Sequence, residues 1–424
     1  MENTDKFEIK LDERTSQLLL NRSYEMEQKD QAEQNETITE KIILGTEPDI
    51  QLGVNFSLGS LSRQPEGKYR FIRSIGFGGM KTVTEVIDRD TGRRVAMASV
   101  PDAQERHVSD LYRFVQEAII TARLEHPNIV PIHDIGIDAD EAPYFTMKLL
   151  KGRTLSVLLR KLRDKEPYET NKYNEERLLF VFMRICNAMA FAHSKHVIHL
   201  DLKPDNVHIG EFGEVLVLDW GLAKYIGTTD NLANPMLKYH PAYEDEPPVI
   251  ASGATLDGIA RGTPGYMAPE QAAGLNSQKD RRSDIYALGA ILYAMFTHHN
   301  PLPSGNVKEM LISTIKGEIT PPNKVKNLPR PVPAGLEAII MKAMQQNPDK
   351  RYQSVNELRE DLFAYIGGYA TTAESPGPTR KIWLFLVRNW RSLLLFITFV
   401  LLMALFGVIL WLFSSGALEI SFEQ

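Results

Sequence analysis

The sequence predicts an α+β chain in three parts: a small antiparallel sheet carrying one helix, a larger and mainly helical region, and a single apolar helix. Three observations carry this. Between Tyr69 and Leu150, short strand-like runs are punctuated by turns and by one stretch of helical period. After Gly152 the apolar residues Leu178, Phe182, Ile185, Met189 and Ala192 step along one face of a long helix. Leu393–Phe413 is then a run of 21 residues without a charge.

The bulk numbers set limits first. A chain of 424 residues has room for two or three domains' worth of core, and 43% apolar with 24% charged residues is ordinary globular composition. A formal net charge of −6 leaves no basic footprint for nucleic acid, which excludes that class of partner. The single cysteine, Cys186, cannot form an internal disulfide, and its apolar surroundings predict burial. Residues 1–60 are a different kind of segment. Positions 1–40 hold eleven acidic and five basic residues and no sustained period, so a disordered polar extension is expected. No apolar core of a secretory signal lies near Met1.

Taken in order, Tyr69–Ile75 and Thr82–Asp88 are strands flanking Gly76-Phe77-Gly78-Gly79-Met80-Lys81. A glycine-rich turn lets backbone N–H groups approach phosphate oxygens, because glycine has no Cβ. Arg94–Val100 is the next strand. Leu111, Phe114, Val115, Ala118, Ile119 and Ala122 mark one helix face, with Ser109 as its N-cap. His126–Val130 ends that helix and leads to another strand, followed by Pro143–Leu150. Past the long helix stands His199-Leu200-Asp201-Leu202-Lys203-Pro204-Asp205-Asn206. These residue types suit phosphoryl transfer, in which a protein chiefly positions groups and neutralises charge. Asp201 can accept a hydrogen bond from an attacking hydroxyl, Lys203 brings a cation beside the migrating group, and Asn206 offers an oxygen to a hard metal ion. Short strands at Val207–Ile209 and Val215–Leu218 precede Asp219-Trp220-Gly221. Residues 225–258, with four prolines and no period, form a long loop.

The string 199–206 resembles the catalytic loop of eukaryotic-type protein kinases, and Lys203 resembles the serine/threonine subgroup. Asp219-Trp220-Gly221 resembles the D-F-G metal motif with tryptophan for phenylalanine. Gly262-Thr263-Pro264-Gly265-Tyr266-Met267-Ala268-Pro269-Glu270 resembles the substrate-side loop and its A-P-E end. The resemblance covers about residues 69–365, roughly 70% of the chain. It implies a bilobal protein kinase fold, with an N-lobe at 66–150, a C-lobe at 151–368 and an activation-segment insert at 225–258. It implies ATP with Mg²⁺, or Mn²⁺ in its place, as cofactors. Asp201, Lys203, Lys81 and Glu117 are then catalytic, and Asn206 and Asp219 are metal ligands. The nucleotide site is formed by Gly76, Phe77, Gly78, Gly79, Met80, Lys81, Val83, Ala96, the gatekeeper Met147 and the hinge residue Leu149. Thr263 contacts Asp201 and Lys203, Glu270 pairs with Arg351, and Asp284 holds the backbone of the catalytic loop.

Three positions depart from the family pattern. Ala98 stands where the strand Val95-Ala96-Met97-Ala98 should end in the phosphate-binding lysine. Leu200 replaces the arginine that receives an activation-loop phosphate. Lys81 replaces the third glycine of the turn. The third departure answers the first, because the arrangement resembles the with-no-lysine kinases, whose lysine comes from the strand after the glycine-rich turn. The alternative is a catalytically inactive pseudokinase that signals by binding nucleotide or partners.

The C-terminal part reads as a linker at 369–392, a transmembrane helix at 393–413 and a short tail at 414–424. At ~1.5 Å per residue the apolar run spans the ~30 Å hydrocarbon core of a bilayer. Arg380, Lys381, Arg388 and Arg391 precede it and no Lys or Arg follows. The positive-inside rule therefore places the kinase part in the cytoplasm and the tail outside. The expectation is a single-pass membrane Ser/Thr kinase acting on protein substrates, with homodimer formation left open.

Overall fold

The computed structural model describes residues 67–77, 81–139, 142–226, 262–302 and 306–414. The expected extension 1–60, the tip of the glycine-rich turn at Gly78, Gly79 and Met80, nearly all of the insert 225–258 and the tail beyond Ser414 lie outside the described residues.

Five strands form one antiparallel sheet: β1 (Tyr69–Phe77), β2 (Thr82–Asp88), β3 (Arg94–Ser99), β4 (Ile132–Ile137) and β5 (Pro143–Lys148). Their order is β1-β2-β3-β5-β4. Helix α1 (Val108–Arg123) lies against this sheet, pressing Phe114, Val115 and Ala118 onto Ala98, Val100 and Phe145. The expected apolar face is therefore the packing face, although Leu111 and Ile119 sit at its margin, half-buried. The expected N-cap is displaced. His107, in extended backbone, precedes the first helical residue, so Ser109 falls inside the first turn and makes no cap. The strand expected from His126–Val130 begins only at Ile132. Ile129 instead makes a single bridge to Val217, and Val130 N–H donates to the Val217 carbonyl, which ties this stretch to the second lobe.

The helical lobe starts with β6 (Gly152–Thr154), α2 (Leu155–Arg163), α3 (Pro167–Lys172) and α4 (Glu175–Ser194). The Asn174 side chain caps α4 by accepting from Arg177 N–H. Leu178, Phe182, Ile185, Met189 and Ala192 are all buried along one side of α4, as their spacing predicts, and Cys186 is buried with them. Burial pushes the Cys186 thiol far above its usual range, so it is inert packing. Strands β7 (Val197–Ile198), β8 (Val207–Gly210), β9 (Val215–Val217) and β10 (Lys224–Tyr225) surround the 199–206 loop. They pair as β6-β8-β9 and β7-β10.

Helices α5 (Pro269–Ala272), α6 (Arg281–Thr297), α7 (Val307–Lys316), α8 (Ala334–Ala343) and α9 (Val355–Ile366) complete the lobe. Helix α6 is buried on every side from Ser283 to Thr297. Gly289 lets it approach α8, since a Cβ there would come 2.8 Å from the Ala343 Cβ. The chain does not leave this lobe freely. Buried Asp361 of α9 accepts from Thr372 N–H (2.6 Å), the Thr372 hydroxyl (2.8 Å) and Ala373 N–H (3.0 Å). Two more helices follow, α10 (Pro378–Arg388) and α11 (Trp390–Ser414). The 23 residues Trp390–Leu412 of α11 are long and apolar enough to cross a membrane, and none of the span is buried inside the protein.

Candidate active site

The loop after β7 carries the chemistry, and a buried carboxylate shapes it. Asp284, fully buried in α6, accepts from the backbone N–H groups of His199 and Leu200, both at 2.9 Å, and from the His193 ring at 2.8 Å. These two amides would otherwise be orphaned in the interior, where an unpaired donor costs about 1–3 kcal/mol. The pairing holds Leu200 in the left-handed region (φ 64°) and aims the next residue outward. The Leu200 carbonyl is held as well, by Gln271 Nε2 at 2.8 Å. Gln271 is a positioning residue that the sequence reading missed. Its only signal was an amide in an otherwise apolar neighbourhood beside Glu270.

Asp201, Lys203 and Thr263 form a closed triangle. Lys203 Nζ lies 2.7 Å from Asp201 Oδ2 and 2.7 Å from Thr263 Oγ1, and that hydroxyl lies 3.0 Å from Asp201 Oδ1. Asn206 Nδ2 donates to the Asp201 carbonyl at 2.9 Å, which commits its nitrogen and leaves the amide oxygen for another ligand.

A second group faces this one from the sheet. Lys81 Nζ lies 2.5 Å from Glu117 Oε1 on α1 and 3.1 Å from Asp219 Oδ1. Strand register explains the reach. Val83 of β2 pairs directly with Ala98 of β3, so the two share a sheet face, and Lys81 two residues earlier projects to the same side. Ala98 itself is wholly buried under α1. Gly221 leaves room for the cluster, because a Cβ there would meet Glu117 Oε2 at 3.3 Å and Asp219 Oδ1 at 3.4 Å. Burial lowers the Lys81 ammonium's affinity for its proton, but the Glu117 and Asp219 carboxylates outweigh it and hold Lys81 above the usual lysine range. Burial likewise works against the Asp219 carboxylate, yet Lys81 keeps it below the usual range. Glu117 goes the other way. Its burial and the charge of Asp219 push its carboxyl up despite Lys81.

The described backbone places several of the remaining expected positions on the sheet. Gly76 pairs with Val83, and Ala96 of β3 pairs with Met147 of β5. Leu149 follows the end of β5, and Phe77 ends β1. Gly78, Gly79 and Met80 are outside the described residues. Trp220 is buried, with its ring centroid 4.6 Å from that of His199. Among the described residues its indole N–H has no partner, so the tryptophan serves as bulk rather than as a donor. Glu270 meets Arg351 through two short ion-pair contacts, at 2.9 and 2.8 Å.

A sheet lobe over a helical lobe, with a carboxylate, a lysine and two candidate metal ligands in the cleft between, defines a phosphotransfer site of the kinase type. Residues 69–363 match the protein kinase domain family, and the chain belongs to that family, whose members use ATP and a divalent metal ion. Among curated proteins, the chain is 39% identical over 305 residues to the serine/threonine-protein kinase PknD of Protochlamydia amoebophila, covering 71% of this chain and 30% of that protein. It is 36% identical over 309 residues to PknD of Chlamydia trachomatis serovar D, covering 71% and 32%. For PknD of Chlamydia pneumoniae the figures are 34% over 304 residues, covering 71% and 31%. The chain thus spans about a third of the length of the curated relatives it matches.

Proposed function

We propose that this chain is a serine/threonine protein kinase at a membrane, transferring the γ-phosphoryl group of Mg-ATP to hydroxyls of protein substrates. The carrying observation is the pair of facing groups, Asp201–Lys203–Thr263 below and Lys81–Glu117–Asp219 above. Asp201 accepts the hydrogen bond of the incoming hydroxyl and orients its oxygen for in-line attack. Lys203 neutralises charge on the migrating group. Lys81 holds the α- and β-phosphates, and Glu117 positions it. Val83, Ala96, Met147 and Leu149 enclose the adenine.

The metal reading fits the donor set. Among the described residues there is no cluster of three or more His, Cys, Asp or Glu side chains that could cage an ion. Asn206 and Asp219 offer two oxygen donors beside an expected triphosphate, which suits Mg²⁺, an ion usually held by one or two side chains, waters and substrate phosphates. Held by Asn206 and Asp219, such an ion would supply positive charge to offset that of the phosphates.

Incubating the full chain in detergent with Mg-ATP, then mapping phosphorylated residues by mass spectrometry, tests the reading. Phosphoserine or phosphothreonine should appear on the chain or on an added protein. Asp201→Asn should lower the rate by about 10²–10⁴-fold, the range for a positioned proton acceptor. An unmodified chain, and no phosphate on any Ser/Thr protein supplied, would leave the pseudokinase alternative standing.

Leu200 bears on control. Its aliphatic side chain, largely buried, offers no cation to a phosphate. Phosphorylation of Thr228, Thr229, Ser252 or Thr255 in the insert should therefore matter little. Changing all four to alanine should leave substrate phosphorylation within a few-fold of wild type, and a hundredfold loss would contradict this reading.

The lobes 66–150 and 151–368, the linker 369–392 and a single bilayer span at 393–413 complete the proposed organisation, with α11 as the span. The kinase lobes face the cytoplasm, by the excess of Lys and Arg before α11. In sealed inside-out vesicles, external protease should digest the kinase lobes and spare a tag placed after Gln424. The reverse pattern would overturn the orientation.

A further inference from the structure

Among the described helices, α10 is unlike every other, α11 aside. None of its eleven residues is buried. Ile382, Trp383, Phe385, Leu386 and Val387 are each about half exposed. Apolar side chains on the opposite faces of a short helix are normally covered, and a contiguous uncovered patch marks an interaction surface. The same segment is strongly basic. From Ser375 to Ser392 there are four cations, Arg380, Lys381, Arg388 and Arg391, and no acidic residue.

Three contacts hold α10 against the chain just after α9, one of them from Arg388 Nη1 to the Gly368 carbonyl at 3.4 Å. Arg380 pairs with Glu374 at 2.9 Å, and the Arg388 guanidinium lies 4.0 Å from the centroid of the Tyr369 ring. The patch therefore continues onto the end of α9, where Phe363 and Ile366 are also more than half exposed. At its other end α10 is separated from α11 by Asn389 alone. Granting that α11 spans the bilayer, as proposed above, α10 ends within a residue or two of the headgroup layer.

We propose that α10 lies along the membrane surface as an interfacial helix, with its apolar side chains among the acyl-chain boundary and its cations on anionic lipid headgroups. Amphipathic helices rich in Lys and Arg with Trp, Phe and Leu bind in this way. Charge also selects the lipid surface over a second copy of the chain, because pairing two such helices would set the three cations of one, Arg380, Lys381 and Arg388, against the same three of the other. The docked helix fixes the catalytic lobe to the bilayer through Glu374 and Tyr369 rather than leaving it on a free tether.

Hydrogen exchange on the full chain tests this in two bilayers, one of phosphatidylcholine alone and one mixed with phosphatidylglycerol. Amides of residues 380–388 should exchange at least about tenfold more slowly in the anionic bilayer, as expected for several cations at a charged surface. Combining Arg380→Gln, Lys381→Gln, Arg388→Gln and Arg391→Gln should abolish that difference, whereas Arg380→Lys with Arg388→Lys should keep it. Equal exchange of α10 in the two bilayers would overturn the proposal. So would protection that rises with the number of chains per bilayer, which would mean a second copy. Amides of α11, read in the same spectra, report separately on the spanning helix. Their rapid exchange would refute the span, while the lipid dependence of α10 would still decide the surface helix.

Discussion

Lys81→Met is expected to reduce kcat/KM by about a thousandfold while the domain stays folded. Two unit charges ~4 Å apart at an effective dielectric near 20 interact by about 4 kcal/mol. At 1.36 kcal/mol per factor of ten, that is close to three orders of magnitude if Lys81 stabilises the phosphates only as charge develops. The fold should survive because the sheet does not depend on this side chain. It stands before β2, about a quarter exposed, and contributes nothing to the Ala98–Phe114–Phe145 core. The loss should also fall on kcat more than on KM, since the interaction removed is one that strengthens as charge develops in the transition state. Moving the lysine back to position 98 is a poor rescue. Ala98 is wholly buried between Val83 and Phe145 and under α1, so a four-carbon stem there overpacks a filled site, at a cost of typically about 1–3 kcal/mol. Circular dichroism and steady-state kinetics on Lys81→Met, with and without Ala98→Lys, are the measurements. Unimpaired phosphorylation by Lys81→Met would show that another cation holds the phosphates.

What could be read from sequence, and what could not, divides by the range of the interaction. The α4 face was readable because periodicity is local, and the burial of Leu178 through Ala192 follows from it. The Ser109 cap failed because several polar residues near a helix start can each serve, and the backbone at His107 decides which position is the boundary. Partners distant in sequence came only through the family pattern. Glu270 with Arg351, 81 residues apart, and Asp284 with the loop amides have no signature in spacing. Where the pattern was silent, the partner was missed. Asp361 was unremarkable until the structure placed it against the amides of Thr372 and Ala373, and α10 was hidden in a segment read as linker. The proposal that Lys81 serves in place of a lysine at position 98 was accessible because two departures from one pattern fall at the start of β2 and on its neighbour β3, and compensation between them is a geometric question.

Arg351→Met is expected to destabilise the catalytic lobe by about 3–5 kcal/mol, the usual consequence of leaving a buried ion without its partner. The Arg351 side chain is fully buried, and that of Glu270 is 5% exposed. Besides Glu270, the guanidinium donates to the carbonyls of Gln345 (2.7 Å), Gln346 (3.0 Å) and Arg282 (2.9 Å). Its removal therefore orphans one carboxylate and three backbone acceptors, and it unties α6 from the chain between α8 and α9. A loss of this size is a large fraction of the ~5–15 kcal/mol that holds a typical domain together. The pH dependence distinguishes the ion pair from simple packing. Burial drives the Glu270 carboxyl up, but Arg351, helped by the Ser283 hydroxyl, outweighs it and holds the folded-state pKa below the usual glutamate value. In the wild type this contribution is full above about pH 4.5 and fades as pH falls through the depressed folded value. Without Arg351, burial dominates and the folded pKa lies above 4.5, so the sign reverses. The variant then loses stability as pH rises from about 4.5 through the raised folded value. The deficit relative to wild type should be larger at pH 7 than at pH 5, measured by urea denaturation of the full chain in detergent. Adding Glu270→Leu to Arg351→Met removes the stranded carboxylate, recovers part of the loss and flattens the pH dependence, while the three carbonyls keep the recovery incomplete. A deficit that is the same at both pH values would mean that Arg351 acts through packing on Tyr286 and the carbonyls, with the charge of Glu270 playing no part.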